Sequence, residues 1–166
     1  MTATVTHDVL DSPLGPITVV ARDGALSGLF ADHRRGPALD QLGRRCPPDF
    51  TAVREQIGEY FAGTRRHFEL PVAPVGTAFQ QHVWATLCRI PFGQTWSYGE
   101  LAARVGRAGA ARAVGHANAR NPMSLVVPCH RVVGADGRLT GYGGGVERKR
   151  FLLDLEQRTG TTRAAT

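Results

Sequence analysis

The chain has 166 residues, of which 42% are hydrophobic, and its formal net charge is +6. It has no apolar run of the roughly 18 residues that a transmembrane helix needs, and its N-terminus lacks the basic and apolar regions of a signal peptide. A membrane protein or a secreted protein is therefore not expected. The three cysteines, Cys46, Cys88 and Cys129, are too far apart for a CxxC zinc site or a disulfide framework, which favours the reducing cytoplasm and predicts no metal.

Turn residues divide the beginning of the chain into short alternating segments. Pro/Gly clusters and an Asp-Gly pair separate apolar runs that have the period of β-strands. Two helices follow, and the second has apolar residues at helical spacing and ends before Gly63. Strands are predicted over 4–10, 17–21 and 26–30, and helices over 37–45 and 50–62.

Positive charge is concentrated in the second half of the chain. The proline-bearing stretch 67–76 is predicted to be a linker, which gives an N-terminal domain, 1–75, and a C-terminal domain, 76–166. The first has 8 arginines and 9 acidic residues, a net charge of −1; the second has 12 basic and 5 acidic residues, a net charge of +7. This asymmetry indicates a polyanionic partner. The alternative is an ordinary solvated surface on an arginine-rich chain, in which Lys149 is the one lysine.

Two capping-box patterns and a glycine turn organise the predicted helices of the second domain. A capping box satisfies backbone N–H groups at the start of a helix, and the pattern occurs at 77–80 and at 97–100. The second of these helices ends at Gly106, and a short turn leads into a further helix that ends before Pro122. Helix, glycine turn and helix form a helix-turn-helix pattern. A last helix is predicted over 146–158.

The helix after the glycine turn consists largely of small residues. It contains Ala111, Ala113 and Gly115, and Val114 is its one sizeable aliphatic residue. Two interpretations are open: tight packing on another helix, or a close approach to a DNA groove with Arg112 as the long cationic side chain. The basic surroundings favour DNA. A sequence-specific regulator is disfavoured because such a helix has few side chains that read base edges.

The segment SLVVPCHRVVG, 124–134, places Cys129, His130 and Arg131 between apolar residues. A cysteine in such a segment is often a small buried hydrophobe, but a neighbouring cation turns a thiol into a nucleophile by favouring the thiolate. On an extended strand adjacent side chains point to opposite faces, so His130 would act on Cys129 only through a turn or a bridging water. With Glu156 as the acid, the residues alone support a Cys–His–Glu hypothesis.

Several motifs within residues 77–157 occur in a fixed order that is similar to that of one family. They are FQQHVW, IPFGQTWSYGELA, AARAVGHANARNP, PCHRV, GYGGG and LLxLE. They resemble the O6-alkylguanine-DNA alkyltransferases, also called methylated-DNA–protein-cysteine methyltransferases. The resemblance implies an α+β fold. Its N-terminal domain would be ribonuclease-H-like, with a small β-sheet and helices, and its C-terminal domain would be helical, helix-turn-helix or winged-helix-like, with the DNA-binding surface and the active site.

The resemblance also implies a reaction and a partner. An alkyl group passes irreversibly, in a single turnover and without a cofactor, from O6-alkylguanine, and also from O4-alkylthymine, to Cys129. The expected partner is double-stranded DNA containing the damaged base, bound through the minor groove with the base flipped out. No membrane is expected as a partner. The expected state is a monomer in the cytoplasm, associated with the nucleoid, and cooperative binding to DNA is left open.

Roles for individual residues follow from the same resemblance. Cys129 is the acceptor, His130 deprotonates it through a water, and Glu156 orients His130. Tyr98 helps to rotate the nucleotide and donates a proton to the departing base. Arg131 is expected to be structural, paired with a carboxylate or with backbone carbonyls.

Further residues are expected at the DNA surface and in the base pocket. Arg112 would fill the space left by the flipped base, while the small residues around it suit the narrow minor groove. Asn121 would tie this helix to the cysteine segment. Trp96 is expected to make only a surface or groove contact. The remaining DNA-contacting residues are Ala111, Ala113 and Gly115, and the base pocket comprises Asn118, Val132, Tyr142, Gly143 and Gly144.

Two other functions fit part of the pattern. A cysteine hydrolase would use the same Cys–His–Glu trio, but it would leave the helix-turn-helix and the basic charge unexplained. A non-catalytic sensor of DNA lesions would explain both of these features. Relatives of that kind lack the cysteine, whereas Cys129 is present in this chain.

Overall fold

The computed structural model describes residues 2–32, 35–140, 142 and 145–164. The chain divides into two compact units between Val75 and Gly76. The first contains a small β-sheet and the second is largely helical, which confirms the predicted α+β class. Within the described residues, no helix has the length and apolar character that a membrane span requires.

A four-stranded sheet forms the centre of the first unit. The strand order is β3-β2-β1-β4; β1 pairs with β2 and β2 with β3 in antiparallel orientation, whereas β4 runs parallel to β1. The β2 strand has a neighbouring strand on each edge, and five consecutive residues of it are buried, so both of its faces are covered. The three predicted strands and the predicted helix over 50–62 are confirmed. The elements are β1 (Val5–Leu10), β2 (Ile17–Arg22), β3 (Ala25–Phe30), β4 (Arg44–Arg45) and α1 (Thr51–Phe61).

The predicted helix over 37–45 is wrong. A single 3-10 turn, Leu39–Gln41, lies there and is followed by the β4 strand. Between them Gly43 has a φ of +69° and lies directly against the backbone of Val5, where no side chain would fit. Pairing with a strand near the start of the chain decides the conformation of this segment, and a local apolar pattern carries no information about such a distant partner.

Four helices and a short two-stranded sheet form the described part of the second unit. Both capping boxes are confirmed, with reciprocal side-chain and backbone hydrogen bonds of 2.7–3.1 Å. The last helix is longer than predicted, because it continues past residue 158. The elements are α2 (Ala78–Leu87), β5 (Trp96–Ser97), α3 (Tyr98–Arg104), α4 (Ala111–Ala119), β6 (Val132–Val133), parallel to β5, and α5 (Val146–Ala164).

The small residues of α4 serve two surfaces at once. Val114 and Ala117 are buried, and the carbonyl of Ala117 accepts a hydrogen bond of 2.8 Å from the indole N–H of Trp84 on α2. On the opposite face Arg112 and Ala113 are exposed. One face of the helix therefore packs tightly on the core, as the first interpretation required, while the other face is open to a partner.

Trp96 is a core residue rather than a surface contact. It is 8% exposed, its backbone pairs with Val132 across the β5–β6 sheet, and the guanidinium of Arg104 lies 4.1 Å from its ring centroid. The strand pairing that buries it joins segments more than 30 residues apart, so the local sequence did not reveal it.

A buried carboxylate links three elements of the first unit. Asp8 of β1 is 1% exposed and accepts hydrogen bonds from Arg45 Nε of β4 at 2.9 Å and from Arg54 Nη2 of α1 at 2.6 Å. Burial alone would raise the pKa of Asp8, but the hydrogen bond and charge of Arg45, together with the charge of Arg54, lower it below its usual value. Asp8 therefore stabilises the fold in its ionised form.

Replacing Asp8 with asparagine is expected to lower the free energy of unfolding by about 1–3 kcal/mol at neutral pH, since two charge-assisted hydrogen bonds are weakened. The folded-state pKa is depressed, so this stabilisation is present above the unfolded pKa of about 3.9 and is lost as the pH falls through the folded value. Denaturant unfolding across pH measures the difference. Asp11→Asn, at an exposed position, is the control, and a difference that stays constant into acid would contradict the assignment.

Candidate active site

Cys129 lies in a tight turn rather than in a strand. It begins a 3-10 helix, Cys129–Arg131, that follows Pro128, and the thiol-bearing residue is 5% exposed. Successive side chains on a 3-10 helix are about 120° apart, so Cys129 and His130 are not forced onto opposite faces. The turn removes the geometric difficulty that an extended segment would have created.

Two asparagines connect α4 with the cysteine segment. Asn121, just after the helix, donates from Nδ2 to the carbonyl of Val127 at 2.9 Å, and its Oδ1 accepts from the backbone N–H of Met123 at 2.9 Å. Asn118, on the last turn of α4, donates from Nδ2 to the carbonyl of Cys129 at 3.4 Å. The exposed face of α4 is thus held in a fixed relation to Cys129.

The buried carboxylate of Glu156, on α5, is surrounded by nitrogen atoms of two side chains and one backbone N–H group. His130 Nε2 lies 2.7 Å from Glu156 Oε1. Arg131 donates from Nε to Oε2 and from Nη2 to Oε1, each at 2.9 Å, and from Nη1 to the carbonyl of Ile90 at 2.8 Å. The N–H of Gly93 adds a contact of 3.3 Å to Oε2. Arg131 therefore has the structural pairing that the sequence analysis expected.

These contacts define the protonation of the cluster. Burial would raise the pKa of Glu156, but the hydrogen bonds and charges of His130 and Arg131 lower it to about 2. Burial, with a smaller contribution from the Arg131 charge, lowers the pKa of His130 despite the opposing effect of Glu156. The imidazole is therefore neutral at neutral pH. Because Nε2 faces an ionised carboxylate, Nε2 carries the proton.

The other ring nitrogen of His130 is poised as a base. His130 is fully buried, and its Nδ1 has no hydrogen-bond partner among the described residues. A neutral imidazole that donates through Nε2 presents a lone pair at Nδ1. The arrangement is able to accept a proton at Nδ1 and to stabilise the resulting imidazolium through Glu156.

Tyr98 begins α3 and is half-buried. Its hydroxyl donates to the carbonyl of Thr140 at 3.0 Å. Burial raises its pKa, the Thr140 hydrogen bond acts in the opposite direction, and the nearby Cys129 raises it further. The phenol is therefore protonated and able to donate. Gly115 of α4 lies beside the Tyr98 ring: a Cβ added at that glycine would be 3.5 Å from two ring carbons.

The remaining predicted DNA and pocket residues are only partly brought together. On α4, Arg112 and Ala113 are exposed, while Ala111 is half-buried. Asn118 is 3% exposed, and its Oδ1 has no partner among the described residues. Tyr142 is half-buried, and Gly143 and Gly144 lie outside the described residues.

Lys149 is a buried residue beside Val132 and Thr140 that the sequence analysis did not single out. This α5 lysine is 0% exposed and donates from Nζ to the carbonyls of Val132 and Thr140, the latter at 3.1 Å. Composition was the one feature of the sequence that could have indicated it, because Lys149 is the one lysine in a chain whose other basic Lys/Arg positions are all arginine. Among the residues that the structure describes, no three His, Cys, Asp or Glu side chains form a group that could hold a metal.

Comparison with known proteins covers both units. Two family models of 6-O-methylguanine DNA methyltransferase match this chain. The model of the ribonuclease-like domain matches residues 5–74, and the model of the DNA binding domain matches residues 78–158. The methylated-DNA–protein-cysteine methyltransferase of Mycolicibacterium paratuberculosis is 46% identical over 155 residues, which cover 93% of each chain.

Solved structures agree with the sequence relatives. The O6-methylguanine methyltransferase of Mycobacterium tuberculosis superposes with a TM-score of 0.88 at 44% identity and covers 94% of each chain. Mycobacterium tuberculosis OGT in complex with DNA gives a TM-score of 0.87 at 44% identity, covering 93% of this chain and 94% of that one. The resemblance inferred from the motifs is confirmed, and the chain belongs to the 6-O-methylguanine DNA methyltransferase family.

Proposed function

We propose that this protein repairs DNA by transferring an alkyl group from O6 of guanine to Sγ of Cys129. The family to which it belongs consists of methyltransferases that act on methylated DNA and a protein cysteine. The assignment to Cys129 rests on the residue that follows it, His130, which makes a buried contact with Glu156. The other two cysteines lack it: Cys46 is partly exposed and Cys88 is exposed.

The proposed reaction is an in-line displacement. The Cys129 thiolate attacks the alkyl carbon, a C–S bond forms as the C–O6 bond breaks, and the electron pair remains on guanine. Tyr98 donates its phenolic proton to the departing base, which quenches the negative charge that develops there. The product is a thioether, which is a poor leaving group, so each molecule acts once.

His130 generates the thiolate through a bridging water in this proposal. The unpartnered Nδ1 of His130 accepts the proton, and Glu156 at 2.7 Å from Nε2 stabilises the imidazolium. The low pKa of Glu156, about 2, keeps this carboxylate ionised throughout the neutral range. Arg131 holds Glu156 in place by donating to both carboxylate oxygens.

The exposed face of α4 is the proposed DNA surface. Arg112 would enter the minor groove and occupy the space of the flipped nucleotide, and the small Ala113 beside it would allow close approach. Gly115 lets the Tyr98 ring lie against the same helix, so the flipping residues and the proton donor adjoin one another. O4-alkylthymine, which carries its alkyl group on a comparable exocyclic oxygen, is the proposed second substrate. A monomer acting at the nucleoid completes the proposal.

Cys129→Ser is expected to abolish methyl transfer while changing DNA affinity by less than about twofold, because binding depends on basic residues elsewhere. Intact mass after mixing with O6-methylguanine duplex should rise by one methyl group in the parent protein and stay unchanged in the variant. Cys88→Ser, at an exposed cysteine, is the control and should react normally. A methylated Cys129→Ser protein would place the acceptor elsewhere.

Arg112→Ala is expected to slow the reaction with duplex DNA by about 10–100-fold, which corresponds to the few kcal/mol that base flipping costs. The reaction with free O6-benzylguanine needs no flipping and should change by less than about twofold. Single-turnover rates on the two substrates give the comparison. Arg120→Ala removes the same charge just after α4 and should lack this selectivity. Equal losses on both substrates would assign Arg112 to the pocket or to the fold.

Glu156→Gln is expected to react at least about tenfold more slowly at neutral pH and to recover as the pH approaches the ordinary thiol pKa of about 8.5. The amide no longer stabilises the imidazolium, whereas hydroxide replaces the missing base in alkali. The substitution also leaves Arg131 without its carboxylate, so the unfolding free energy should fall by about 3–5 kcal/mol.

Leu152→Ala separates these two effects. Leu152 is fully buried on the same helix, so its truncation is expected to cost about 2–5 kcal/mol without altering the relay. Its pH–rate profile should follow that of the parent protein. A folded Glu156→Gln protein with the parent rate at neutral pH would remove Glu156 from the proposed relay.

A further inference from the structure

The buried charges around Cys129 do not balance without the thiolate. Arg131 and Glu156 are both buried and form an ion pair of 2.9 Å, so their charges cancel. Lys149 is 0% exposed, and among the described residues it forms no ion pair with a carboxylate. A buried ammonium without a counter-charge is strongly disfavoured in a protein interior.

The hydrogen bonds of Lys149 lead to neutral acceptors. Its Nζ donates to the carbonyls of Val132 and Thr140. These oxygens satisfy two of the three N–H groups of an ammonium but supply no negative charge. Val132 is three residues after Cys129, and Thr140 also accepts the hydroxyl of Tyr98 at 3.0 Å. Lys149 therefore lies between the cysteine turn and the proposed proton donor.

Cys129 is the group that can supply the counter-charge. Burial lowers the pKa of Lys149, and the charge of Cys129 acts against this by raising it. The other ionisable groups that face this site are already accounted for: Tyr98 is protonated, His130 is neutral, and Glu156 is paired with Arg131. Burial is the main cause that lowers the pKa of His130, and the positive charge of Lys149 acts in the same direction.

We propose that Lys149 is a positioning residue whose buried ammonium balances the Cys129 thiolate and fixes the carbonyl that orients the Tyr98 hydroxyl. The proposal deepens the proposed function and rests on Cys129 as the acceptor. It assigns the stability of the thiolate to Lys149 and the removal of the proton to His130. Alkylation converts the thiolate into a neutral thioether, so the counter-charge of Lys149 disappears when the reaction is complete.

The uniqueness of Lys149 gives a direct test on the intact protein. Because it is the one lysine of the chain, 13Cε-labelled lysine yields a single side-chain NMR signal. In the parent protein this signal should shift as Cys129 ionises, and the ammonium should lose its proton at high pH. In Cys129→Ser the first step should vanish and deprotonation should begin about one pH unit lower or more, because coupling between two charges is reciprocal.

Kinetics give a second, independent test. Lys149→Met keeps the length of the side chain without its charge, and the pH of half-maximal reaction with free O6-benzylguanine should rise by about one unit or more. Lys149→Arg retains the charge and should keep the pH midpoint within about 0.3 unit, whatever its effect on the maximal rate. Arg150→Met removes an exposed charge from the neighbouring position and should leave the profile unchanged.

Two outcomes would overturn the proposal. One is a lysine signal that titrates identically in the parent protein and in Cys129→Ser. The other is a folded Lys149→Met protein that is slower by the same factor at every pH, which would make the lysine a purely structural link between two carbonyls. If Lys149→Met does not fold, the NMR comparison still decides. The NMR comparison uses no DNA. A failure of the proposed repair function, seen as a parent protein that does not demethylate DNA, is therefore distinguished from a failure of the Lys149 proposal.

Discussion

The organisation of the second unit depends on one buried carboxylate. Glu156 lies on the last helix, but it binds His130 and Arg131 of the cysteine turn and the N–H of Gly93 in the loop after α2. Three segments distant in sequence are thereby held around a single charge. Since an ionised carboxylate is costly to bury, it is stable there only with these donors, and the donors are oriented only by it.

The charges that surround this carboxylate divide the proposed chemistry between neighbouring residues. Burial, aided by the Arg131 charge that offsets Glu156, lowers the pKa of His130, so the imidazole remains neutral and can act as a base. Lys149 then supplies the positive charge that a thiolate at Cys129 requires. Each of these groups is positioned by a helix or a tight turn of the second unit, which gives the site a rigid frame for one displacement reaction.

Local sequence patterns predicted the elements whose causes are local. Both capping boxes and the strands β1 to β3 are examples, since turn residues and side-chain spacing determine them. The predicted helix over 37–45 failed because a distant strand pairs with Arg44–Arg45, and Trp96 is buried by its pairing with Val132. Lys149 was missed for a similar reason, because its acceptors are carbonyls whose position depends on the tertiary fold. The proposed trio of Cys129, His130 and Glu156 rests on motifs rather than on periodicity, and the structure brings His130 and Glu156 together.

Mapping the alkyl group on the parent protein tests the central claim most directly. After reaction with an excess of duplex that contains O6-methylguanine, tandem mass spectrometry of the digested protein should find one methyl group per chain, on the peptide containing Cys129, with guanine restored in the same number of DNA molecules. Methyl groups on Cys46 or Cys88, or repair of many duplexes by each protein molecule, would contradict a single transfer to the buried thiolate.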